Sequence, residues 1–167
     1  MHIPHDPDEI VALVDANDEI VGEATRRAVH KEDLLHREVY VYIMHSDQIL
    51  LQKRSDIHKW DHSAGGHFPK EQTYEQAAIR ETKEELGIDI TLSDLIDLGK
   101  PLLECTSHNC FNRRFAKIFL VKKDIKIEDI RYDSHEIEDV KFFPIDDFPD
   151  DMTTTAAHII GEYLQAY

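Results

Sequence analysis

The 167 residues predict a single mixed α/β (α+β) domain, an α-β-α sandwich around a mixed β-sheet. Two observations carry that reading. Short runs rich in Val, Ile, Tyr and Phe alternate with polar turns over most of the chain. Only two long segments, 73–87 and 153–167, show helical apolar spacing. Length agrees, because the chain suits one domain over 1–167, with a real core and neither a repeat nor a linker dividing it.

Residues 1–9, with Pro4 and Pro7 among charges, read as a flexible arm. The stretch 10–27 reads as a strand pair around the polar turn Asp15-Ala16-Asn17-Asp18. Residues 26–35 are polar and suit a short helix or a loop. Over 38–44, Val39, Val41 and Ile43 alternate with Tyr40, Tyr42 and Met44, which predicts a strand covered on both faces. A turn at 45–48 leads into the next strand, 49–54, and 60–64 forms a short extended segment. The paired Gly65-Gly66 then predicts a turn where backbone approaches a ligand closely and a carbonyl is freed toward it. Thr73 with Gln76 three residues on predicts a capped helix start, and Gly87 a left-handed stop. Ala77, Ala78, Ile79, Thr82 and Leu86 supply that helix with an apolar side. An edge strand or short connection follows over 88–98. The segments 102–106 and 111–122 predict a hairpin closed by Ser107-His108-Asn109, then come a charged linker, 125–132, and a strand, 137–144. The helix 153–167 should bury Ala156, Ala157, Ile160 and Leu164.

The chemistry concentrates in GGHFPKEQTYEQAAIRETKEELGI, residues 65–88. Glu81, Glu84 and Glu85 stand three and four apart on the predicted helix, a spacing that puts carboxylates on a shared face. Such like charges repel unless a cation offsets them, and a hard divalent ion such as Mg²⁺ prefers oxygen ligands. From Gly66, five residues lead to Gln72 and seven more to Arg80, followed by E-T-K-E-E-L-G-I. This spacing resembles the Nudix hydrolase box, G-x5-E-x7-R-E-U-x-E-E-x-G-U with U aliphatic. Two positions depart from it: Gln72 stands at a glutamate position and Thr82 at an aliphatic one.

The resemblance implies a Nudix fold and Mg²⁺-dependent cleavage of a diphosphate linkage, with Mn²⁺ as a substitute, in a small nucleoside diphosphate derivative or related compound. It implies Glu84 and Glu85 as main metal ligands with the Gly65 carbonyl, Glu81 as a further ligand or the base, and Arg80 as the residue that orients them. Gln72 keeps an acceptor oxygen but no charge, which implies lowered activity or altered metal stoichiometry. The segment SHEIEDVKFFPIDDF resembles the late Nudix stretch that brings another glutamate to the metals, with Glu136 the first candidate and Glu138 the second. The runs LLHREVYVYI, LLQKRS and WDHSAGGH resemble the isopentenyl-diphosphate isomerase branch of the superfamily. That branch uses a cysteine where this chain has Gly65, and it implies an imidazole metal site at His36 and His67. Three readings follow: hydrolase, isomerase without its thiol, or a module that binds a nucleotide diphosphate without cleaving it. Outside the box, Lys53 and Arg54 suit phosphate, as does His67, and either Arg113 or Arg114 faces the substrate, since neighbours on a strand point oppositely.

A net charge of −15 disfavours nucleic-acid polymers and anionic membranes, so the expected partner is a small phosphorylated molecule met by local cations. No apolar stretch approaches membrane-spanning length and the N-terminus lacks a signal-peptide pattern, which points to the cytoplasm. Cys105 and Cys110 flank His108 in a C-x-x-H-x-C run, read as free thiols of a reducing compartment. The N-terminal strand pair could serve a homodimer.

Overall fold

The computed structural model describes residues 6–107 and 110–167. Strands β1 (Ile10–Val14) and β2 (Ile20–Thr25) precede α1 (Arg26–Lys31), and β3 (His36–His45) and β4 (Gln48–Arg54) follow. The short β5 (Trp60–Asp61) and β6 (Ala64–His67) lead into α2 (Tyr74–Leu86). Then come β7 (Leu95–Gly99), β8 (Leu102–Ser107), β9 (Cys110–Lys122), β10 (Ile137–Pro144) and α3 (Thr154–Ile159), which continues as a π-helical turn, Ile160–Leu164.

Strand β3 is the hub. It runs antiparallel to β1, β4 and β6 and parallel to β9 over His36 to Met44, which makes the sheet mixed. Its alternation divides the interior into two cores. Val39, Val41 and Ile43 pack with Ala77, Ala78 and Leu86 of α2. Tyr40, Tyr42 and Met44 pack on the other face with Ile159, Ile160 and Leu164. Each large apolar side chain sealed in these layers contributes about 1.5–3 kcal/mol. A helix therefore covers each face of the hub strand, the expected α-β-α arrangement.

The α2 cap matches its sequence signal. Thr73 Oγ1 accepts from Gln76 N at 3.2 Å, and Gln76 Oε1 accepts from Thr73 N at 2.9 Å. Gly87 closes the helix at φ 70°, with Arg131 packed where a Cβ would be. Buried Asp18 ties the first hairpin to this helix by accepting from Arg37 and Lys100 and from the Tyr74 hydroxyl.

Three expectations need correction. Gly65 and Gly66 lie within β6, paired with Tyr40 and Val39, and do not form a turn. Their lack of a side chain serves close approach instead: a Cβ on Gly65 would fall 2.3 Å from Val39 O. Residues 6–9 of the expected arm are held against α1, where Arg26 N donates to Glu9 O at 2.8 Å and Arg27 N to Pro7 O at 2.9 Å. The last α-helix ends at Ile159 and continues as a π turn, and Ile159 is buried whereas Ala157, expected inside, is exposed. His108 lies outside the described residues, and Cys105 is an exposed free thiol. No described helix is long and apolar enough to cross a membrane.

Candidate active site

The β6–α2 unit walls a cavity of about 250 Å³ between α2, the open end of β3 and the start of α3. Gly65, Gly66, Glu81, Glu85 and Glu136 line one side. Gly66 lies so close to Glu81 that a Cβ there would meet the carboxylate at 3.3 Å. Glu85 accepts from Gln52 Nε2 at 2.8 Å and from the Gly65 backbone. Arg80 acts as a clamp: Nη2 donates to Glu81 at 2.7 Å, Nη1 to Glu84 at 2.8 Å and Nε to Gln72 Oε1 at 3.1 Å.

Burial drives the electrostatics of this wall. It pushes the Glu81 carboxyl up to about 7, with Glu84, Glu9 and Glu136 adding to the rise against the pull of Arg80. Burial also raises Glu85 well above the usual carboxylate range, reinforced by Glu81 and Glu136. Both groups are ones that a bound cation would relieve.

The expected residues do not all converge. Glu81 and Glu85 are buried against the cavity, whereas Glu84 sits outside it, 37 % exposed and held by Arg80. Four residues at about 100° each bring Glu85 back to within about 40° of Glu81, while Glu84 falls about 60° to the other side. Glu136 reaches the cavity, and Glu138 instead pairs on the surface with His58 at 2.5 Å and Lys53 at 3.5 Å. Lys53 thus points away from the face on which Arg54 lines the cavity, as strand alternation requires. Arg54 lines the cavity with its guanidinium committed to Asp56 at 2.7 Å and Asp61 at 3.3 Å. Of the later pair, Arg114 is the one at the cavity; Arg113 turns to Asp33.

A second cluster adjoins the first. His30, His36, His67 and Glu38 bring ligand atoms within 4.8 Å of one another. His30 Nδ1 meets Phe111 O at 2.8 Å and His36 Nδ1 meets Leu34 O at 2.9 Å, so both rings turn Nε2 inward. His67 Nε2 lies 3.1 Å from His30 Nε2 and 2.9 Å from Glu38, and His36 Nε2 is 3.8 Å from Glu38, buried with no hydrogen-bond partner among the described residues. Burial pushes His67 down to about 4 against the pull of Glu38, so its ring is neutral near pH 7 and free to offer a nitrogen lone pair. Burial alone would raise Glu38, yet His67 and Arg114 hold it well below the usual range. Three inward imidazoles beside one ionised carboxylate suit a borderline transition-metal ion.

A NUDIX domain family model matches residues 34–163. The chain belongs to the NUDIX family. An uncharacterised Nudix hydrolase of Listeria innocua is 35% identical over 114 residues, covering 65% of this chain and 63% of its own. The chain thus spans less than two thirds of that NUDIX relative's length. An isopentenyl-diphosphate isomerase of Photorhabdus laumondii is 31% identical over 129 residues, 70% of this chain and 73% of its own. A crystal structure from Deinococcus radiodurans superposes with TM-score 0.72 at 20% identity, covering 94% of this chain and 100% of that one, and shows the same fold.

Sequence reasoning missed Glu9, His30, Glu38, Asp61 and His62. Glu9 lies in what reads as an arm, yet it lines the cavity. The others come from separate segments: the β3–β6 and β4–β5 pairings bring in Glu38, Asp61 and His62, and α1 sets His30 against Phe111 of β9.

Proposed function

We propose that this chain is a divalent-cation-dependent hydrolase of diphosphate linkages in small nucleoside diphosphate derivatives or related compounds, acting in the cytoplasm. The observation that carries the reading is the pair Glu81 and Glu85, buried with Glu136 in one cavity and kept from ionising freely. An oxygen-only donor set of that kind fits Mg²⁺, with Mn²⁺ as a substitute. Such a cation supplies neutralisation of phosphoryl charge and lowers the pKa of water. The chain's own part is to hold the carboxylates with Arg80, to line the cavity with Arg114, and to keep solvent partly out. Phosphate release from a panel of nucleoside diphosphate sugars, dinucleoside polyphosphates, NADH, nucleoside triphosphates and coenzyme A, with and without Mg²⁺, tests the reading. Turnover without Mg²⁺, or none on any member, would refute it.

Proton linkage gives an independent check. Glu81 titrates higher in the folded than in the unfolded chain, so its contribution to stability is complete below the unfolded value and is lost as pH rises through about 7. Cation binding takes the ionised form and should therefore stabilise more at pH 8 than at pH 6. At a hundredfold excess over Kd the gain at pH 8 should be about 2.7 kcal/mol, roughly 5–10 °C in Tm. An equal shift at both pH values would speak against a buried carboxylate site.

The imidazole cluster supports a second, nitrogen-ligated ion. Protein incubated with Zn²⁺ and desalted should retain about one ion per chain, and His36→Ala should lose it. Retention of zinc by that variant would exclude the cluster. Isoprenoid diphosphate isomerisation is set aside, because Gly65 offers no thiol.

A further inference from the structure

We propose that Asp61 and His62 form a general-base dyad that takes the proton from the attacking water, an inference resting on the hydrolase reading above. Asp61 is the orienting member. Its Oδ1 accepts from Thr153 Oγ1 at 2.8 Å and from His62 N at 3.0 Å, and its Oδ2 accepts from Arg54 Nη1 at 3.3 Å. Burial would raise this carboxyl, yet His62, Arg54 and Thr153 hold it at about 2, so it is ionised throughout the working range.

His62 presents the other half. Its Nδ1 lies 3.0 Å from Asp61 Oδ1, sealed from solvent and not aligned for a hydrogen bond. At 3.0 Å the two atoms are already at hydrogen-bond distance, and such contacts are commonly poorly aligned before substrate arrives. Nδ1 being sealed leaves Nε2 as the nitrogen presented to the cavity that His62 lines. The ring is fixed by stacking on Tyr40, 4.0 Å between centroids, and by the edge of Tyr42 at 6.1 Å.

The fold sets this imidazole beside the carboxylates. Tyr40 is the register partner of Gly65, and its ring comes within 3.0 Å of where a Gly65 Cβ would stand. Asp61 pairs with Gln52 across the sheet, and Gln52 Nε2 holds Glu85 at 2.8 Å. An imidazole that served packing alone would have no need of a buried, ionised carboxylate against its sealed nitrogen. Arg80 already holds Glu81 and Glu84, and a cation, when bound, would occupy the box carboxylates further, which leaves His62 the freer proton acceptor.

The step balances without a further reactant. An O–H bond of water breaks, its proton passes to His62 Nε2 and its oxygen forms the new P–O bond. The bridging P–O bond breaks and its electron pair leaves with the departing phosphate. Asp61 remains ionised and offsets the imidazolium charge.

The test uses the full chain and the panel substrate that it turns over fastest. His62→Ala should lower kcat about 10²–10³-fold with KM little changed. Added imidazole, entering the gap on the Tyr40 face, should restore activity in proportion to its free-base concentration, and pyrazole, similar in shape but a far weaker base, should not. His62→Gln fills the site without a base and should show the same loss without rescue. Asp61→Asn, a positioning change, should lower kcat with KM held and resist rescue, since the ring is still present. Wild-type kcat in His62→Gln, or equal rescue by pyrazole and imidazole, would overturn the dyad while leaving the hydrolase reading standing. A wild-type chain that cleaves no panel member would overturn both.

Discussion

Glu85→Gln should lower Mg²⁺-dependent diphosphate cleavage at least about 10³-fold, equivalent to roughly 4 kcal/mol of transition-state stabilisation. The same substitution should leave the metal-free protein at least as stable at pH 8, with Tm up by a few degrees. Glu85 is 4 % exposed and crowded by Glu81 and Glu136, so ionising it in the folded state is costly. Glutamine removes that cost and still accepts from Gln52 or from the Gly65 backbone. One of those two hydrogen bonds is lost, which takes back about 1 kcal/mol. A residue whose removal abolishes turnover and does not harm the fold is held for chemistry. Loss of activity together with a large fall in Tm would instead make Glu85 a structural residue.

Gly65→Cys should not confer isoprenoid diphosphate isomerisation, and it should destabilise the fold by about 2–4 kcal/mol. The added Cβ would stand 2.3 Å from Val39 O and 3.0 Å from the Tyr40 ring. Relief requires β6 to move away from β3, and Gly66 would carry its close contact with Glu81 along with it. Thermal unfolding and an assay of double-bond migration read the two effects separately. Wild-type stability, or measurable isomerisation, would show that this position is more accommodating than the β3–β6 register implies.

Local signals proved the most legible part of the sequence. The Thr73–Gln76 cap, the Gly87 stop and the strand Ile137–Pro144 stand where their residues place them, because each is decided by a few neighbours. Convergence was harder to read. The box glutamates look equivalent in spacing, yet the helical angle carries Glu81 and Glu85 inward and leaves Glu84 on Arg80. Gly65-Gly66 reads as a turn because glycine pairs usually bend a chain, whereas here the absence of Cβ serves strand packing against a carboxylate. The imidazole cluster draws on positions 30, 36, 38 and 67, and no local pattern joins residues that a parallel strand pair and a two-stranded contact bring together. Lys53 and Arg54 are adjacent in sequence, and only the observed register says which of them meets the cavity.

The most direct measurement is calorimetric titration of Mg²⁺ at pH 7 in two buffers of different ionisation enthalpy, on the wild type and on Glu85→Gln. Carboxylates that burial keeps partly protonated must give up protons when a cation binds. The account predicts Mg²⁺ binding with net proton release in the wild type, and neither in the variant. Binding without proton release, or undiminished binding by Glu85→Gln, would contradict it.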